Sequence, residues 1–227
     1  IKGAQDAIDE QWNLLISKGA FNYDSVRPKA EVSDEAKAAN KTIHIGELMT
    51  LCHEKHSELN LPAHLKKYKG RVVFRGDSVK DETGNYAVFT EQGSSAAKMA
   101  GAKMLDAIAR MPHMGGENSD AVAAYTQVML RTAWKLLGEP EEHYPETWVK
   151  LPRNRRPKEW DNIVDPVCKL ELNLYGHPLA GLIWELHCHK IVKECGFVPV
   201  PQYQGGSVYF ITLISKYFPT FTSTTSR

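Results

Sequence analysis

The run Lys69-Gly70-Arg71-Val72-Val73-Phe74-Arg75-Gly76 changes character at every second residue. That is the period of a strand with one buried face. It puts Arg71, Val73 and Arg75 on one side and Val72 and Phe74 on the other. Two guanidiniums on one face of one strand can serve a single polyphosphate. They can equally be the solvated side of an ordinary strand.

Other elements follow from spacing. Ile8, Trp12 and Leu15 fall on one face of a helix that Gly19 is placed to end. Ser33, with Asp34 and Glu35 behind it, reads as the start of a second helix. Ile43-His44-Ile45 opens a β-like stretch, and Asp81 to Asn85 reads as a turn around Gly84. Leu105, Ile108 and Met111 stripe a helix from Ser95 to Met111 that Pro112 stops. Gly115-Gly116 leads to Asp120.

Beyond it, a short strand at Trp148–Leu151 interrupts a polar, proline-rich connection with basic residues at Arg153, Arg155, Arg156 and Lys158. Pro178 is placed to start a helix, Trp184, Cys188, Ile191, Val192 and Cys195 share its face, and Gly196 caps it. Ser207–Ile214 reads as a strand before a Ser/Thr-rich tail. Strands and helices without a regular βαβ rhythm predict an α+β fold.

The formal net charge is +1, so nucleic-acid affinity has to come from local basic patches rather than a global field. Cys52, Cys168, Cys188 and Cys195 form no CxxC pair, which fits a reducing, intracellular setting. No apolar run reaches membrane-spanning length. The chain opens on Ile1, and its first residues read as an excerpt of a longer polypeptide.

Asp120 precedes Ala121-Val122-Ala123-Ala124-Tyr125. It reads either as a helix N-cap before a small-residue turn or as a metal ligand, since magnesium prefers oxygen donors. In the second reading the Ala121 carbonyl supplies another ligand. Small side chains at Ala121, Ala123 and Ala124 leave room for a triphosphate, and the Tyr125 ring lies beneath the sugar. His187, His189 and Cys195, or Cys52, His53 and His56, lack the paired spacing of a structural zinc site.

Taken in order, three runs resemble the reverse transcriptase of copia-type LTR retrotransposons, a segment of a Pol polyprotein. Lys69, Arg71, Val73, Arg75 and Gly76 match that family's Lys-x-Arg-Leu-Val-x-Arg-Gly strand. Asp120, Ala124 and Tyr125 match Asp-Val-x-x-Ala-Phe/Tyr, with Ala121 in place of Val. Leu170, Leu174, Tyr175, Gly176, Ala180 and Trp184 fall in the register of its Leu-Tyr-Gly motif, and Trp148 to Pro152 resembles the strand-and-proline run between. The resemblance extends from Leu48 to Phe210.

It implies fingers and a partial palm: a mainly antiparallel sheet with helices on one side, incomplete at the C-terminus. Residues 1–47 would be a helical lead-in, 48–119 fingers-like and 120–227 partial palm. Asp120 would be catalytic and a metal ligand with Ala121. Arg71, Arg75, Ala124 and Tyr125 would lie at the nucleotide, and Tyr175 and Gly176 near template and primer. The implied cofactor is Mg2+ in a two-metal site. The implied partners are an RNA or DNA template-primer, deoxynucleoside triphosphates and the remaining Pol domains, in the cytoplasm with a nuclear stage open.

The family's Lys-Gln after Leu-Tyr-Gly-x is here Pro178-Leu179, and no Asp or Glu follows Glu194, so the Tyr-x-Asp-Asp hairpin is missing. With one carboxylate two metals cannot be clamped, and the chain alone is expected to be inactive. Two alternatives remain. One is a degenerate remnant that binds nucleic acid without catalysis; the other is an unrelated α+β interaction module.

Overall fold

Trp12 and Leu15 anchor the first helix, α1 (Lys2–Ser17), and are its buried residues. Gly19 ends it at φ +69, with its amide donating to the Ile16 carbonyl at 2.9 Å. The computed structural model describes residues 2–89, 99–116, 121–199 and 210–211. The chain forms two compact units, Ile1–Gly93 with Asp120–His187, and Ser94–Ser119 with Cys188–Arg227.

The first unit is built on five strands: β1 (Phe21–Pro28), β2 (Ile43–Lys55), β3 (Lys67–Phe74), β4 (Glu146–Lys150) and β5 (Pro166–Leu170). Their order is β1-β5-β4-β2-β3. Three pairings are antiparallel and β2–β4 is parallel, so the sheet is mixed and the fold is α+β. The expected alternation in β3 is present: Val72 and Phe74 are buried and Arg71 is exposed.

Helices do not sit on one side only. Trp12, Leu15, Leu48, Val72, Phe74, Val149 and Cys168 belong to one core. Val32, Ala36, Ile43, Ile45, Trp148 and Val167 form another. Successive strand residues face opposite ways, so Trp148 and Val149 point to opposite faces, as do Val167 and Cys168. α1 covers one face, and α2 (Lys29–Ala38) covers the other. Strands β4 and β5 are apolar on both faces and need cover on both.

α2 also begins earlier than its acidic run suggests. Pro28, at φ −55 and ψ 133, sets the start, and Ser33 lies inside the helix. Proline cannot donate and favours an extended residue before it, so it sets the boundary. Residues 1–47 are more than a helical lead-in, since they supply β1 and the first residues of β2.

Gly70 lets α1 approach β3 directly: a Cβ there would lie 2.4 Å from the Ala7 carbonyl oxygen. The Trp12 indole N–H donates to Thr50 Oγ1 at 3.2 Å, fixing the helix over β2. Burying a side chain of this kind contributes about 1.5–3 kcal/mol.

α4 (Leu130–Leu136) completes the helices wholly within the first unit. α3 (Met99–Ala109) belongs to the second, with Ser95 of the expected helix outside the described residues. α5 (Ala180–Glu194) contributes to both units and is closed by Gly196 at φ +86. Of the expected Ser207–Ile214 strand, Phe210–Ile211 (β7) is described; it pairs antiparallel with Val198–Pro199 (β6). Among the described residues no helix is long and apolar enough to cross a membrane.

Candidate functional site

The Leu-Tyr-Gly run lands on the end of β3. Leu174 is buried, and the Tyr175 carbonyl accepts the Phe74 amide at 2.7 Å. Gly176 has φ +84, and a Cβ there would lie 2.1 Å from the Phe74 carbonyl oxygen. β3 is an edge strand, so this turn takes up a backbone donor that the sheet leaves unpaired.

The Tyr125 segment reaches the same place by a different route. Residues 128–130 run beside 171–173: the Leu130 amide donates to the Glu171 carbonyl and the Asn173 amide to the Val128 carbonyl, each at 2.8 Å. Val128, Leu130 and Leu172 are buried beneath this pairing. Ala123 turns the chain with φ +51, in the left-handed region, and Ala124–Gln127 form a 3-10 turn. Thr126 Oγ1 donates to the Ala123 carbonyl at 2.9 Å and receives the Lys18 ammonium at 3.0 Å.

These constraints bring Tyr125 and Tyr175 edge to face, with ring centroids 4.4 Å apart. The Arg71 guanidinium lies 5.9 Å from the centre of the Tyr175 ring. Tyr175 is 42 % exposed and Arg71 is exposed, so the cluster is open to a ligand. Two aromatic rings beside a guanidinium offer stacking surface and a phosphate partner.

Arg75 does not join Arg71. Its side chain pairs with Glu47 at 3.5 Å and Asp77 at 3.4 Å. It lines a separate cavity of about 240 Å³ with Lys29, Lys80, Lys150 and Ser78. The expectation that both arginines serve one polyphosphate is therefore not met. Four residues of strand separate them by roughly 13 Å, and the neighbouring carboxylates claim Arg75.

Ala121 is exposed, Ala124 is half-buried, and Gly176 lies at the junction with β3. Asp120 lies outside the described residues. Among the described residues no group of three or more His, Cys, Asp or Glu side chains is placed to hold a metal ion. They do not by themselves make a two-metal site.

Part of the basic connection has structural work. Arg155 pairs with Asp9 and lies 5.6 Å over the Trp12 ring. Its hydrogen bond, followed by that of Gln5, holds the Asp9 carboxyl below the usual range. Arg156 donates to the Leu151 carbonyl at 2.8 Å.

A cleft of about 780 Å³, bordered by α2, Glu141–Tyr144, Trp148 and Lys169, shares no lining residue with the Arg71–Tyr125–Tyr175 cluster.

Two contributors have no clear signature in the sequence. Lys18 lies far from Thr126 along the chain. His177 directly follows the Leu-Tyr-Gly run, and its ring packs on Phe74 at 5.3 Å. Comparison with family models, curated proteins and solved structures finds no match to this chain.

Proposed function

We propose that the chain is the fingers and part of the palm of a copia-type reverse transcriptase, an RNA-directed DNA polymerase. The observation that carries this reading is the meeting of Arg71, Tyr125 and Tyr175. Each comes from a different one of the three runs that resemble the family, and the runs are far apart in the chain. In the intact enzyme Arg71 and Tyr125 meet the incoming deoxynucleoside triphosphate. Tyr175 and Gly176 lie toward template and primer. Arg75 acts from the neighbouring basic cavity.

Asp120 and the Ala121 carbonyl would hold magnesium, which neutralises charge on the attacking and leaving oxygens of nucleotide addition. The residues of this chain supply stacking surface, a guanidinium and a tyrosine edge that excludes a 2′-hydroxyl.

The test is fluorescence anisotropy of a labelled primer–template with the unmodified chain, Arg71→Ala, Tyr175→Ala and Asp120→Asn. Losing Tyr175 should weaken binding by about 1–3 kcal/mol, the cost of one lost base stack. Losing Arg71 should weaken it and reduce its salt dependence. Unchanged binding in both variants would sink the proposal.

A second reading is a non-catalytic remnant that only binds nucleic acid, favoured by Pro178-Leu179 standing where the family carries Lys-Gln. Weak, salt-sensitive binding indifferent to Asp120→Asn supports that reading.

A further inference from the structure

Directly after the Tyr175–Gly176 turn, the chain buries an imidazole with nothing to receive its charge. His177 is 6 % exposed. Its Nδ1 accepts the Leu179 amide at 3.2 Å, which leaves the ring proton on Nε2. Nε2 is itself buried, without a hydrogen-bond partner among the described residues. The ring packs on Phe74 at 5.3 Å and edge-on to Phe89 at 6.1 Å. Phe89 in turn packs on a second buried imidazole, His44, at 4.6 Å.

The charged groups around the pair cannot neutralise both rings. Glu82 and Asp81 act on His44. Glu82 is already bonded to the Ile43 amide at 3.2 Å, and Asp81 to the Thr83 and Asn85 amides. The titratable group that acts on His177 is His44, which carries the same sign of charge when protonated. Burial pushes His44 down to about 4. Burial, with His44 adding to it, pushes His177 down to about 3.

We infer that the His44–Phe89–His177 stack is a proton-sensitive latch: an imidazolium at His177 releases the Tyr175–Gly176 turn from β3 while the sheet stays folded. The second proton has to enter at Nδ1, where it replaces the bond from Leu179 with two donors facing each other. The resulting cation would lie between phenylalanine rings, and an unpaired buried charge is expelled rather than kept. Phe74 links the ring to the turn: its side chain holds His177, and its amide holds the Tyr175 carbonyl. Once the ring leaves, Gly176 has lost its neighbour and the turn follows.

The opening is proton-linked. An exposed imidazole titrates near 6.5, so lowering pH from 7 to 5 should raise the open population roughly 25-fold.

Backbone hydrogen exchange on the full chain tests this, with rates corrected for their intrinsic pH dependence. Between pH 7 and 5 the Phe74 amide should lose about 25-fold protection, while staying less protected than the amides of β4 and β5 at both pH values. In His177→Gln, which keeps an acceptor and cannot charge, the loss should disappear. Three results would overturn the latch: steady Phe74 protection, Phe74 protection no lower than that of β4 and β5, or equal loss in His177→Gln.

Should that variant fail to fold, nitrogen shifts of ring-labelled histidine in the unmodified chain decide. An Nε2–H tautomer at His177 that stays neutral until the Phe74 amide opens supports the latch. An ordinary midpoint near 6.5 for a closed turn sinks it. The readout is independent of the polymerase reading, so either can fail alone.

Discussion

Gly76 and Gly176 meet backbone to backbone: a Cβ on Gly76 would lie 2.3 Å from the Gly176 carbonyl oxygen. Each glycine closes a different run, and neither has room for a methyl group. Gly176→Ala meets two obstacles, positive φ and the Phe74 carbonyl; Gly76→Ala meets one. Both should lower stability by about 1–3 kcal/mol, with Gly176→Ala the worse. Urea midpoints at constant m-value measure this, and a neutral Gly176→Ala would contradict the described turn.

Gly70→Ala puts a methyl group against the backbone of α1 at Ala7 and Ile8. Backbone on both sides leaves nothing flexible to yield, so a cost of about 1–3 kcal/mol is expected. Trp12→Ala should cost about 3–5 kcal/mol by leaving a cavity. Changing both positions should cost less than the sum, because each loosens the same helix from the same strands. A double-mutant cycle read by thermal unfolding checks the coupling.

His44 and His177 both sit below the ordinary histidine value in the folded protein. The folded state therefore binds fewer protons than the unfolded chain. Their contribution is fully present above about pH 6.5 and declines as pH falls toward the folded-state values. Unfolding free energy should drop by about 2 kcal/mol per histidine between pH 7 and 5. Asp9, Glu35, Asp81 and Glu141 are held below their ordinary values by hydrogen bonds, so their losses fall at lower pH. Denaturant titrations of His44→Phe across that window should show a shallower slope.

Given manganese, a primed template and deoxynucleotides, the chain alone should extend no primer. One carboxylate cannot clamp two metals. A gel assay with end-labelled primer reads this directly, and clear extension would remove the argument from the missing acids.

The strand at Arg71 was legible because its alternation is strict and its buried partners are large. The helix at Trp12 was legible for the same reason at a different period. α2 was misplaced because Ser33 and its acids resemble a cap, while Pro28 sets the boundary. The two-sided sheet was hidden in Trp148-Val149 and Val167-Cys168, where short apolar runs look alike for one-sided and two-sided burial. The three runs were legible one by one as sequence, but the meeting of Tyr125 with Tyr175 was not. It depends on backbone pairing between 128–130 and 171–173, which carries no side-chain signature.

The strand order also fixes when this protein can fold. β1 touches the sheet through β5, and the β2–β3 hairpin joins it through β4. A chain still emerging from the ribosome can therefore form α1 over the hairpin while β1 waits for its partner. β4 can join the hairpin once Lys150 has been made, but until Leu170 has been made β1 has no strand to link it to them. Pairings between segments this distant in sequence close slowly. The late-made β4–β5 pair is thus the step that turns separate pieces into one cooperative sheet.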